Sequence, residues 1–276
     1  MIFQKFSARS ARAVVASALG AALLSACLSN TSSPPTSATP GPAAPAPHAS
    51  AAAPATSQHF SACRQFFAAG EPPSIAPQPK LRDLCFDAFA ILHNGNTRTP
   101  LFVAQRLNKT LVADADEKRT NKFYADARLP RAERAELNDY KRSGYSRGHM
   151  APAADMPTAQ AMAQSFSLAN MVPQSIKQNS GPWAQIEKDT RRYAARAKGD
   201  VYVITGPVFD AQPATVGDNR VAVPTYLYKL VYDASSNRAW AHWQANRDDE
   251  RVSPPISYAE LVKRTGIELL PSVQPQ

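Results

Sequence analysis

Between Leu28 and Gln58 the chain is built almost wholly from Ser, Thr, Pro, Ala and Asn, with His48 as its one ionisable side chain. Such a stretch has almost no large apolar side chains to bury. It cannot offset the entropy of ordering, so it is expected to be disordered and, being proline-rich, extended. A fold therefore has to be made from the residues beyond it, beginning near Phe60. The 24 prolines against 11 glycines look unusual only because two regimes are averaged together. The remainder is long enough to bury a sizeable core as one domain.

Ahead of that stretch, Lys5, Arg9 and Arg12 form a basic start, and Ala13 to Leu24 is an apolar run with Val14, Val15, Leu19 and Leu23. The run is too short to span a bilayer comfortably and has the length of a signal-peptide core. It ends in Leu24-Ser25-Ala26-Cys27, which resembles the bacterial lipobox. The resemblance implies that Cys27 becomes the first mature residue and carries acyl chains, with an ordinary signal peptide cleaved near Ala26 as the alternative. The expected organisation is a lipoprotein signal peptide over 1–26, a disordered linker over 27–58 and a folded domain over 59–276. The expected location is the cell envelope after export. If the cell is Gram-negative, Leu28 in place of an aspartate after Cys27 points to the outer membrane, on its periplasmic or surface face.

The chain has three cysteines. With Cys27 lipidated, Cys63 and Cys85 are left either as a disulfide or as two buried thiols. The formal charge is +9. Without Lys5, Arg9 and Arg12 it is +6, from 28 basic and 22 acidic residues, all of them beyond residue 58. A moderately basic domain suits a polyanionic substrate.

Phe86–Leu92 and Leu101–Leu107, separated by Asn94-Gly95-Asn96, read as a strand pair. Leu129 to Tyr140 reads as a short surface helix or loop, and Pro157 to Phe166 as a helix with proline in its first turn. Pro182 to Lys198 is the clearest helix. Trp183, Ile186, Thr190, Tyr193 and Ala197 recur at helical spacing, with Gly199 as terminator. Val201–Thr205 is a strand stopped by Gly206-Pro207, and Thr225–Tyr232 and Ala239–Gln244 are two more. Ser257 with Glu260 forms a capping box for a last helix ending at Gly266. Paired strands with helices between them predict an α+β domain and not a βαβ sheet. There is no Gly-rich phosphate loop and no Cys/His zinc spacing.

The chemistry is concentrated between Gly144 and Arg191. In Tyr145-Ser146-Arg147-Gly148-His149-Met150, an extended backbone aims Arg147 and His149 to the same side, and Gly148 leaves room for a substrate backbone. A neutral imidazole can take a proton from water, and a guanidinium can fork onto phosphate oxygens. Glu187 and Arg191 are one helical turn apart and share a face.

Taken together, Ser146 to Asp155, Asn170 with Pro173-Gln174, and Asn179 with Trp183 and Glu187 closely resemble the DNA/RNA non-specific endonucleases. The likeness extends to Leu84-Cys85-Phe86, Thr99-Pro100-Leu101-Phe102-Val103-Ala104, Val201 to Phe209 and Lys263-Arg264-Thr265-Gly266, covering about 80–270. It implies the ββα-metal (His-Me finger) fold, a central, mostly antiparallel sheet flanked by helices. It also implies metal-dependent hydrolysis of DNA and RNA with little sequence preference, leaving 5′-phosphates. By resemblance, His149 is the general base and Asn179 the ligand of a largely hydrated Mg²⁺, for which Mn²⁺ can substitute. Glu187 orients the ion's waters, Arg191 and Arg147 act on phosphate, Arg119, ahead of Phe123 and Asp126, resembles a further catalytic arginine, and Asn170 stands near the site, either touching substrate or only bracing the loop. The motif usually begins with aspartate. Ser146 here lacks that charge, and an altered rate or substrate preference is expected. The contrasting reading is a non-catalytic nucleic-acid-binding envelope lipoprotein on a nuclease fold.

Overall fold

The structure, a computed structural model, describes residues 59–276. The signal peptide, Cys27 and the linker expected over 27–58 lie outside the described residues.

Leu81–Cys85 (β1), Ala90–Asn94 (β2) and Thr99–Leu107 (β3) form an antiparallel meander. The sequence predicts one strand over Phe86–Leu92, but the chain reverses there. The Phe86 N–H donates to the Phe89 carbonyl at 2.9 Å, and the two rings stack with centroids 4.4 Å apart. Aromatic packing makes this turn without glycine or proline, so no punctuation marks it. Lys109–Ala113 (α1) comes next, capped by Asn108. Short 3₁₀ turns at Arg131–Glu133 and Leu137–Tyr140 occupy the stretch expected as a surface helix or loop.

Tyr145–His149 (β4) then pairs with Met171–Ser175 (β5), with Ala159–Ser165 (α2) in the connection. Thr158 caps α2, so Pro157 stands before the helix and not in its first turn. A continuous helical segment leads on from β5. It consists of Ile176–Gln178 (α3), a wider π-type turn over Asn179–Trp183, and Ala184–Ala194 (α4). Trp183, Ile186, Thr190 and Ala194 are its buried stripe. Beyond Ala194 the helix tightens into a terminal turn with i→i−3 bonds, ending earlier than the expected Lys198.

Val201–Val208 (β6), the short pair Thr215–Val216 (β7) and Val221–Ala222 (β8), Tyr226–Asp233 (β9), Arg238–Ala245 (β10) and Ile256–Ser257 (β11) complete the strands. β6 continues through Gly206-Pro207, where the sequence predicts a stop. Its pairing with β3 ends at Thr205, and beyond that point the strand is paired with β9 alone, an edge position where proline is tolerated. Gly206 is required because a Cβ there would lie 2.5 Å from the Tyr228 hydroxyl. Tyr258–Thr265 (α5) starts at the predicted cap, where Ser257 Oγ accepts from the Glu260 N–H, and ends at left-handed Gly266.

The main sheet is seven-stranded and antiparallel, in the order β1-β2-β3-β6-β9-β10-β11. Strand alternation divides its side chains between two cores. Ile91, Val103 and Leu227 pack with Met150, Val172, Trp183 and Ile186 from the β4–β5–α4 unit. Leu92, Phe102, Leu230 and Ala241 pack on the other face with Phe60, Phe67 and Leu261. Cys63 and Cys85 form a disulfide that ties the start of the described chain to β1. By loop-closure entropy the bond contributes about 3 kcal/mol. The α+β class and the antiparallel sheet thus agree with the sequence.

Candidate active site

In β4 the extended backbone brings Arg147 and His149 to the same side, and both line one cleft. Gly148 is on the opposite face of the strand. A Cβ there would sit 1.8 Å from Gln174 Oε1, so the glycine is needed for close packing of β4 on Gln174 and not for approach of a substrate. Ser146 shares that opposite face, by the same alternation.

The turn after His149 is held by Asn170, which is fully buried. Its Nδ2 donates to the carbonyls of Ala151 and Ser165, and its Oδ1 accepts from the Ala151 N–H, each at 2.9 Å. The Asn170 carbonyl accepts from the Met150 N–H at 3.0 Å. With its side chain committed to backbone, Asn170 braces the loop and is not among the residues lining the cleft, the second of the two places the sequence leaves open for it. Asn170→Ala is expected to lower unfolding stability by about 3 kcal/mol, because three buried backbone groups lose their partner. Urea denaturation measures this, and a loss below about 0.5 kcal/mol contradicts the bracing role.

Asn179 and Glu187 reach the cleft from the α3–α4 segment. Eight residues of regular α-helix, at about 100° each, leave two side chains about 80° apart. The π-type turn absorbs one residue, and seven residues bring them to within about 20°. Pro182 lies in this turn, where the regular hydrogen-bond ladder is already interrupted. The local irregularity is therefore what makes these two side chains share a face.

Arg119, placed in the sequence only by its position ahead of Phe123 and Asp126, is brought to the same cleft. Its guanidinium carbon lies 5.0 Å from the Phe166 ring, and its Nε donates to Asn121 Oδ1 at 2.7 Å. The Arg147 guanidinium stands 4.9 Å from the Phe123 ring and 5.7 Å from that of Tyr140. Phe123 and Phe166 meet edge to face at 4.9 Å, and the His149 ring packs at 5.8 and 5.1 Å from them. Two phenylalanines thus set the imidazole between two guanidiniums. Only Phe123 stood out in the sequence, as a landmark beside Arg119. An aromatic next to each arginine motif was the available signal for the rest.

Burial, reinforced by the Arg119 charge, lowers the His149 pKa to about 3, so the ring is neutral at pH 7. Its Nε2 has no hydrogen-bond partner among the described residues. Burial also pushes Glu187 up to about 7, while the Lys229 charge pulls it down. Arg191 is one turn beyond Glu187 but is not among the residues lining the cleft. Its guanidinium pairs at 2.9 Å with Asp155, a buried carboxylate that also accepts from Gln105 Nε2 at 3.0 Å. Asp155 carries no role in the sequence reading, and its burial and two partners make it an internal anchor.

The cleft, of about 190 Å³, is lined by Arg119, Arg147, His149, Asn179 and Glu187 with the Pro152–Ala154 backbone turn. It offers a neutral base and two cations for an anion. It also offers one carboxamide and one carboxylate oxygen donor for a hard cation.

Residues 74–276 match the profile of the family described as DNA/RNA non-specific endonuclease. The chain is 38% identical over 199 residues to mitochondrial nuclease EXOG of Danio rerio, covering 65% of this chain and 58% of that one. It is 30% identical over 207 residues to mitochondrial endonuclease G of Homo sapiens, covering 68% and 69%. The aligned part spans 58% of the zebrafish EXOG protein and 43% of the human one. Among solved structures, a chain of the EndoG/EndoGI complex superposes with a TM-score of 0.62 at 23% identity, over 70% of this chain and 86% of that one. This last likeness shows the fold.

Proposed function

The chain belongs to the DNA/RNA non-specific endonuclease family, and from that membership we propose that it is a metal-dependent endonuclease. Its substrates are DNA and RNA, cut with little sequence preference to leave 5′-phosphates. The observation that carries this reading is the convergence of His149, Asn179 and Glu187 with Arg119 and Arg147 on one open cleft.

The donor set supports a hard cation. One amide oxygen and one carboxylate in a polar cleft suit an ion that keeps most of its water, and they lack the nitrogen and sulfur donors that zinc prefers. Asn179 would hold Mg²⁺, or Mn²⁺ in its place, and Glu187 would orient the surrounding waters. Bound there, the ion would supply charge stabilisation at the phosphate and a bound water acidic enough to protonate the leaving 3′ oxygen.

His149 accepts the proton of the attacking water. Its low pKa keeps Nε2 free for that proton at neutral pH, and the flanking phenylalanines hold the ring in place. Arg147 and Arg119 present planar guanidiniums to the phosphate oxygens as negative charge builds. Arg191 contacts phosphate only through the donors that Asp155 leaves free. Ser146, on the far face of β4, tunes the site indirectly.

Cys27 anchors the protein by its acyl chains at the envelope, and residues 27–58 act as the spacer. Mass spectrometry of the mature N terminus tests the anchor, and an unacylated Cys27 excludes it.

The test of function is a gel assay of the mature chain on plasmid DNA and on RNA, with Mg²⁺ and with EDTA. Both substrates are expected to be degraded with the ion and to remain intact with the chelator. Salt-sensitive DNA binding without cleavage in Mg²⁺, Mn²⁺ or Co²⁺ instead identifies a non-catalytic nucleic-acid-binding protein.

A further inference from the structure

A row of polar side chains crosses the main sheet directly beneath α4. Thr205 on β6, Lys229 on β9 and His242 on β10 are opposite one another in register, on the face that meets the β4–β5–α4 unit. Lys229 is 1% exposed, an unusual place for an ammonium group, which costs free energy to bury without partners. Its Nζ donates to Thr205 Oγ1 at 2.8 Å and stands 5.4 Å from the ring of Trp183, at the head of α4. No carboxylate lies within 4.0 Å of it among the described residues.

The charges that face Lys229 come from two other elements. Burial lowers the Lys229 pKa; against it, Glu187 on α4 and Asp155 at the end of the Pro152–Ala154 turn favour the positive charge, and Arg191 on α4 opposes it. His242 is held neutral by burial and by the Lys229 charge. Two cations and two carboxylates thus share one buried region, and one of those carboxylates lines the cleft. Arg191 is already bound to Asp155 at 2.9 Å. Arg119 and Arg147 stand on the cleft side, and in the buried region behind the helix the remaining cation is Lys229.

We propose that Lys229 is a positioning residue of the reaction: from behind α4 it supplies the fixed counter-charge that holds the Glu187 carboxylate in one orientation at the wall of the cleft. The inference rests on the reading of Glu187 given under Proposed function. Lys229 touches neither substrate nor ion and acts through Glu187 alone.

Simple Coulombic repulsion makes the opposite prediction for metal binding. A lysine that was only a nearby cation would, on removal, let a divalent cation bind more tightly. A lysine that holds Glu187 in place would, on removal, weaken that binding. The test uses the mature chain with Lys229→Met, Thr205→Val and Glu187→Gln, together with the Lys229→Met/Glu187→Gln double variant. Mn²⁺ binding is followed by electron paramagnetic resonance without substrate, and plasmid cleavage gives kcat and KM separately.

For Lys229→Met, Mn²⁺ affinity is expected to fall by about 10- to 100-fold, with a comparable fall in kcat and with KM for DNA within about threefold of the parent. Thr205→Val, which removes the hydrogen-bond partner of Lys229, shifts both in the same direction by less. In the Glu187→Gln background, Lys229→Met adds no further loss. Tighter or unchanged Mn²⁺ binding in Lys229→Met overturns the proposal, as does an undiminished effect in the Glu187→Gln background. Should Lys229→Met fail to fold, Thr205→Val decides: wild-type Mn²⁺ binding and kcat in that variant overturn the proposal. A parent chain that neither binds Mn²⁺ nor cuts DNA removes the underlying functional reading. A fully active parent with an unaffected Lys229→Met removes only the role of Lys229.

Discussion

Replacing His149 by alanine lowers cleavage of both DNA and RNA by roughly 10²- to 10⁴-fold, the usual range for a positioned general base. The imidazole is packed by Phe123 and Phe166 with its Nε2 unpartnered, so the substitution removes the proton acceptor without breaking a hydrogen-bond network. Single-turnover rates at saturating substrate measure the loss, and a variant within about tenfold of the parent on either substrate excludes His149 as the base. The pH dependence sharpens the test. With its pKa lowered to about 3 by burial and then by Arg119, His149 is unprotonated throughout pH 5–8, so kcat/KM should show no acid limb near 6.5 from this group. Stability follows the same shift. The unfolded chain takes up the proton near pH 6.5 and the folded chain only near 3. The stability associated with neutral His149 is therefore fully present above 6.5 and is lost as pH falls from 6.5 toward 3. Melting temperatures of His149→Ala should decline less over that window than those of the parent.

Asn179→Ala is expected to abolish activation by Mg²⁺, lowering the rate by at least about 100-fold, more than a residue that only supports a ligand would. Unlike Asn170, Asn179 is only half-buried and its side chain makes no hydrogen bond among the described residues. Its removal should shift the melting temperature little while Mn²⁺ binding disappears. A variant that still responds to Mg²⁺ over the parent's concentration range places the ion elsewhere. Compared with Asn170→Ala, the two variants should separate cleanly: one loses stability, the other loses the cation.

That contrast marks the boundary of what a sequence makes legible. The β9–β10 pair, the Ser257 cap and the Gly266 terminator depend on local periodicity and backbone preference, and they stand within a residue of where the sequence predicts. The reversal at Phe86–Phe89 and the passage of β6 through Pro207 depend on aromatic stacking and on where the neighbouring strand ends. The first joins residues three apart but carries no glycine or proline to mark it, and the second is not a local property.

The amino-acid order by itself determined the α+β class and set the residue types of the site in recognisable motifs, because alternation and helical spacing act over a few residues. Tertiary structure alone decided that the Asn170 side chain turns to backbone while Asn179 lines the cleft, and that Arg191 pairs with Asp155. It also placed Lys229 beneath the helix of Glu187, 42 positions away in the chain. The physical reason is that hydrogen-bond commitment and burial belong to a three-dimensional neighbourhood. Two chemically identical side chains nine residues apart become a brace and a candidate ligand only when the fold surrounds one of them with backbone and leaves the other open.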